Sequence, residues 1–104
     1  MLEISTGKIV RVIALSREFG PDNIRLHDFI SGMNEDEQAN LVAVMWIGRD
    51  SFMSDELEEA RQQARAEATV PTEDYLSGIP MLAEHLESGM EALGIDVTDA
   101  EDEL

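Results

Sequence analysis

The sequence predicts an all-α fold, one compact irregular bundle of four main helices, and three observations carry that expectation. Apolar residues recur at helical spacing in four stretches. Residues that favour helix starts precede them, and glycine or proline closes most of them. The expected helices cover about 5–19, 34–49, 54–69 and 80–94, with short helical turns between. A chain of 104 residues builds one core rather than two, so 1–97 reads as a single helical domain and 98–104 as an acidic tail.

The first helix starts at Ser5 or Thr6, either of which can cap it. Ile9, Val12 and Ile13 share one face, Val10 and Leu15 widen it, and Arg11 with Glu18 lies opposite. Gly20-Pro21 stops it. Residues 22–33 show neither period cleanly, so a helical turn from Asn23 to Phe29, a packed loop and a short strand all stay open until Ser31-Gly32 breaks the segment.

Asn34 opens the clearest element, because Glu37 follows at capping-box spacing and Glu35 and Asp36 suit the positive helix end. From Ala39 to Gly48 only Asn40 is polar. A helix apolar almost all round is a buried one, so this is the expected centre of the fold, with Met45 and Trp46 supplying its bulk. Ser54 restarts the pattern after Arg49-Asp50-Ser51. The stripe that follows is Leu57, Ala60, Ala64 and Ala68, with Glu58 and Arg61 spaced as an i,i+3 pair. Alanine buries little area, so this helix either packs very closely on a neighbour or is left partly uncovered.

Val70-Pro71-Thr72 ends that helix, and Thr72 caps a turn over 73–77 before the corner Gly78-Ile79-Pro80. The last helix sets Leu82, Leu86, Met90 and Leu93 on one face, beside Gly89. Glu84, Glu87 and Glu91 form a ridge on the other. Gly94 closes it.

The stretch from Thr69 to Ile95, TVPTEDYLSGIPMLAEHLESGMEALGI, and the earlier FISGMNEDEQANLVAVMWIGR together resemble a family of small bacterial proteins catalogued as a domain of unknown function. Asp74-Tyr75-Leu76, Gly78-Ile79-Pro80 and the pattern Leu82…His85-Leu86-Glu87…Gly89 carry the likeness, which covers roughly Leu2 to Val97. The resemblance implies a small helical fold. It brings no activity, substrate or catalytic residue.

Charge is the unusual feature. Twenty-three acids against seven bases give a net charge of −16, and from Ala66 to Leu104 there are eleven acids with no lysine or arginine. Such a surface repels phosphate, which disfavours direct nucleic-acid and anionic-membrane binding and favours a basic protein partner or a cation. The same charge also serves plain solubility. There is no cysteine, hence no disulfide, thiolate nucleophile or cysteine-based zinc site. The N-terminus lacks the order of a signal peptide, and the apolar run Leu41–Gly48 is too short to span a bilayer, so a cytoplasmic location is expected.

Candidate chemistry is sparse. His85, flanked by Glu84 and Glu87, invites a weak metal site but has no second histidine at ligand spacing, and a boundary histidine explains it as well. His27-Asp28 suggests an oriented imidazole, yet sequence neighbours on a helix do not face each other, which favours a surface loop histidine. Neither the ridge Glu84, Glu87, Glu91 nor Asp55, Glu56, Glu58 and Glu59 follows a calcium-loop pattern. Gly78-Ile79-Pro80 is a corner rather than a phosphate loop, Asp74 and Tyr75 beside it suit a core or an interface, and Trp46 reads as core. Arg49, Arg61 and Arg65 either pair with nearby glutamates or mark a small anion site.

The sequence therefore points to a non-catalytic acidic interaction module that needs no cofactor. Its candidate surface combines Leu57, Ala60, Arg61, Ala64 and Arg65 with Asp74, Tyr75, Glu84, His85, Glu87 and Glu91. A basic partner protein, or self-association through the alanine stripe, would occupy it. The alternatives are an acidic mimic of nucleic acid that binds a basic protein, and a weak metal or small-ligand site at His85.

Overall fold

The computed structural model describes residues 2–20 and 22–95; Pro21 and the acidic tail expected at 98–104 lie outside them. Six helices and one 3-10 turn make up the described residues, where the sequence led us to expect four main helices with turns. They are α1 (Thr6–Phe19), α2 (Ile24–Ser31), α3 (Glu35–Gly48), α4 (Leu57–Ala66), α5 (Thr72–Ser77) and α6 (Leu82–Ala92), with the 3-10 turn at Ser54–Glu56.

Three of the six helix starts follow from side chains that accept backbone N–H groups; α4, α5 and α6 have no side-chain cap, so Thr72 opens α5 without capping it, contrary to expectation. Ser5 Oγ accepts from Lys8 at 3.2 Å, and Asn34 Oδ1 accepts from Glu37 at 2.8 Å while Glu37 returns a bond to Asn34 N–H at 3.1 Å. That reciprocal box opens α3 as expected. The ambiguous stretch 22–33 resolves as a helix. Asn23 caps it through the Leu26 N–H at 2.8 Å and also donates to the Leu15 carbonyl at 3.3 Å, tying the start of α2 to the end of α1.

Two expected boundaries are corrected. The helix placed at 54–69 begins as a 3-10 turn and ends its α-helical part at Ala66. Ala68 lies beyond its end and is exposed, and Pro71 disfavours helical backbone only at Val70, the residue before it. The last helix starts at Leu82, not Pro80, because Met81 takes a left-handed conformation, φ 58°, that no α-helix accommodates.

Residues Ala39–Ile47 of α3 are all buried, so this helix is the central one. α6 and α4 pack on it from different sides; α6 also meets α1, α1 meets α2, α2 meets α5, and α5 returns to α3. The α3–α6 crossing is close because it is made at two glycines. A Cβ at Gly48 would stand 1.6 Å from the carbonyl oxygen of His85, and one at Gly89 would stand 2.1 Å from that of Val44. Buried Asn40 is satisfied on both ends: Oδ1 accepts from Glu3 N–H at 3.0 Å, and Nδ2 donates to the Asp36 carbonyl at 2.7 Å. It pins the N-terminal lead-in onto α3. No helix among the described residues is long and apolar enough to cross a membrane.

Candidate functional site

A concavity forms where α3 ends. Trp46 sits in the last turn of α3, and the reversal Arg49-Asp50-Ser51 brings Phe52 back beside it, with ring centroids 5.7 Å apart and planes 25° from parallel. Asp50 carries a positive φ of 67°, and Ser51 N–H donates to the Trp46 carbonyl at 2.9 Å, which holds the reversal shut. From the other side α5 contributes Tyr75, whose hydroxyl accepts the Trp46 indole N–H at 3.0 Å. Between these rings and α4 lies an open groove of ≈ 640 Å³, walled by Val42 and Ala64 and by the α4–α5 connection. That connection leaves Val70 52% exposed. A second hollow of ≈ 550 Å³ adjoins it, sharing Val42, Ala64 and Val70 and reaching Glu35 and Arg65.

Trp46, Phe52 and Tyr75 give the groove an aromatic side, and Ser51, Gln63, Glu67, Thr69 and Thr72 line it together with Arg49, which is exposed. Its Nε donates to Ser51 Oγ at 3.0 Å, and it makes no ion pair among the described residues. The other candidate cations are engaged. Arg61, only 8% exposed, pairs with Glu58 as its i,i+3 spacing implied, and lies 3.4 Å from Glu3 and from Asn40 Oδ1. Arg65 bonds Asp36 at 2.8 Å and Glu3 at 3.5 Å. An anion site at Arg61 and Arg65 is thus filled by the chain's own carboxylates.

The alanine stripe takes the first of its two readings. Ala60 and Ala64 are buried on α3 and Leu57 is half-buried against the core, so these three form an internal seam, while Arg65 and Ala68 stay exposed. The acidic ridge also differs from expectation. Glu87 forms a two-pronged pair with Arg17, one bond of which is 2.9 Å, and Glu84 stands 3.9 Å from Arg17, so both turn toward α1. Glu91 is exposed and His85 half-buried, and no three His, Asp or Glu side chains among the described residues are grouped to hold a metal ion. The carboxylates placed beside His85 by sequence are therefore committed elsewhere.

His27, expected on a surface loop, is on α2, and its partner is Asp74 of α5. Nε2 and Oδ1 are 2.8 Å apart, whereas the sequence neighbour Asp28 is 3.9 Å from Nδ1. The hydrogen bond to Asp74 raises the imidazole above its ordinary value of 6.5, helped by the nearby charges of Asp74, Glu73 and Asp28. Asp74 and Tyr75, adjacent in sequence, thus serve two contacts: one clamps α5 to α2, and the other closes the groove. Trp46 is buried, as its reading as core implied, and what sequence reasoning missed is Phe52 stacked beside it; a tryptophan six residues before a phenylalanine was the usable signal.

The profile of the family described as Protein of unknown function (DUF3775) matches residues 23–95, well over half of the chain. The chain belongs to this family. The match takes in α2 to α6 and every groove residue named above. It leaves α1 outside, so it begins later than the likeness read from the sequence at Leu2. No curated protein and no solved structure matches the chain. The family's description assigns no activity, so a functional reading has to come from the geometry.

Proposed function

We propose that this chain is a non-catalytic protein-interaction domain that docks a partner segment in the aromatic groove between α3, α4 and α5. The observation that supports this reading is the groove floor of Trp46, Phe52 and Tyr75, beside the exposed apolar side chain of Val70. Aromatic side chains with one apolar and one polar end are the residues that carry most binding energy at interfaces. The net charge of −16 favours a partner that is basic around its docking segment, through faster encounter more than through tighter final contact.

The test uses Val70→Glu, a surface change that leaves the core alone. The wild-type chain and the variant, both shown folded by circular dichroism, serve as baits in source-organism lysate at low and high salt. A protein retained by the wild type at high salt and lost from Val70→Glu supports groove docking, because an apolar anchor resists screening. Equal recovery on both baits refutes it.

A further inference from the structure

We infer that the groove receives the C-terminal end of a partner chain, its last apolar side chain against Trp46 and Phe52 and its free carboxylate on Arg49; this rests on the docking role proposed above.

Three features argue for an occupant of that kind. The first is the hydrogen-bonding inventory of the walls. An indole N–H only donates, so in the Trp46–Tyr75 bond the tyrosine oxygen is the acceptor and its own proton remains for another acceptor. A guanidinium likewise has only donors, and Arg49 spends its Nε on Ser51 while its remaining N–H groups meet no carboxylate among the described residues. Glu67, Gln63 and the hydroxyls of Ser51, Thr69 and Thr72 also line the groove, so its polar edge is mixed; Arg49 is the one cation among the lining residues, and a carboxylate is the group that guanidinium geometry matches best.

The second feature is preorganisation. The Ser51 N–H bond to the Trp46 carbonyl at 2.9 Å and the left-handed Asp50 fix the reversal that carries Arg49, so little ordering is left to do on binding.

The third is shape combined with charge. The groove and the second hollow share Val42, Ala64 and the α4–α5 connection as lining, and two neighbouring hollows suit an extended chain better than a compact molecule. A protein of net charge −16 opposes an acidic ligand as a whole. A carboxylate is accepted most readily when it ends a chain that is neutral or basic upstream, where Glu35 and Glu67 line the two hollows.

Trp46 is the single tryptophan of the chain, so its intrinsic fluorescence reports groove occupancy directly. The probes are the peptide Lys-Lys-Ala-Ala-Leu-Phe with a free C-terminus, the same peptide as its C-terminal amide, and hydrocinnamate. The free-acid peptide is expected to shift Trp46 emission saturably, and the amide to bind about tenfold more weakly or worse, the loss of one charge-assisted contact. In Arg49→Gln, shown folded by circular dichroism and titrated from its own unliganded emission, the two peptides should become equivalent. Equal binding of acid and amide to the wild type would overturn the chain-end assignment while leaving groove docking intact. Hydrocinnamate binding as tightly as the peptide would also overturn it, in favour of a small carboxylic acid. Peptides that leave Trp46 emission untouched, while Val70→Glu still loses its lysate partner, would place a different segment in the groove. Loss of both signals would remove the docking role as well.

Discussion

Replacing Gly48 by alanine adds one methyl group at the point where α3 and α6 come closest. That carbon would stand 1.6 Å from the His85 carbonyl oxygen and 2.6 Å from its carbon, where ordinary contact lies at 3.4–4 Å. Neither neighbour is the far end of a flexible side chain. The helices must part by more than an ångström, which loosens Leu82, Leu86 and Met90 of α6 from the buried face of α3. Overpacking typically costs about 1–3 kcal/mol, and a collision with backbone belongs at the top of that range or above it. Alanine regains about 1 kcal/mol of helix propensity over glycine. The net loss is then about 2 kcal/mol or more, a fall in melting temperature of roughly 8–16 °C for a domain of this size. Gly89→Ala should behave alike, since its methyl group meets the Val44 carbonyl oxygen at 2.1 Å. Gly78→Ala is the control: its methyl group would meet only the Tyr75 carbonyl at 3.7 Å, so a change within about 0.5 kcal/mol is expected. Thermal unfolding followed by circular dichroism, with urea midpoints alongside, reads all three. A Gly48→Ala protein that melts at or above the wild type would refute the close-crossing argument, because propensity alone would then decide the outcome.

Two further outcomes follow from single contacts. The imidazole of His27 has a raised value in the folded state through Asp74, so its contribution is complete below pH 6.5 and is lost as pH rises through the folded value. The melting-temperature gap between wild type and Asp74→Asn should therefore be present near about pH 5.5 and close by about pH 8.5, and a gap independent of pH would exclude the pair as its cause. Asn34→Ala removes the bond to Glu37 N–H at 2.8 Å and one half of the capping box, and should lower stability by about 1 kcal/mol in urea unfolding; an unchanged midpoint would mean that the box contributes nothing to the start of α3.

The parts of the fold legible in sequence are those set by local rules. The start of α3 is written in Asn34 and Glu37, and its burial in the nearly unbroken apolar run from Ala39 to Gly48. The helix α2 escaped because it is only 8 residues long and buries just Leu26 and Ile30, while exposed Ile24 blurs the periodicity. Met81 gives no local sign of its left-handed backbone. The candidate site was legible only in pieces. Tyr75 and Asp74 drew attention as a pair, but their partners Trp46 and His27 come from α3 and α2, and no spacing rule links residues so far apart. The alanine stripe left two readings open, close packing or an uncovered face, and the choice between them depended on a neighbour that the sequence does not display.

Gly48 and the groove are adjacent, and this ties the fold's tightest contact to its candidate function. Trp46 lies two residues before Gly48, and Arg49 directly after it begins the reversal that carries Phe52 back onto the indole. A methyl group at Gly48 pushes on the last turn of α3, the turn whose Met45 and Trp46 carbonyls accept from Arg49 and Ser51. A methyl group at Gly89 pushes on Val44, one turn nearer the helix centre. The two substitutions make similar collisions, yet only the first acts where the stack, the rim arginine and the reversal are all anchored. If the groove is the working surface, Gly48→Ala should weaken peptide binding beyond its loss of stability, measured well below the melting temperature, while Gly89→Ala at matched stability should not. The glycine that lets α6 approach would then also set the angle at which Trp46 meets its occupant.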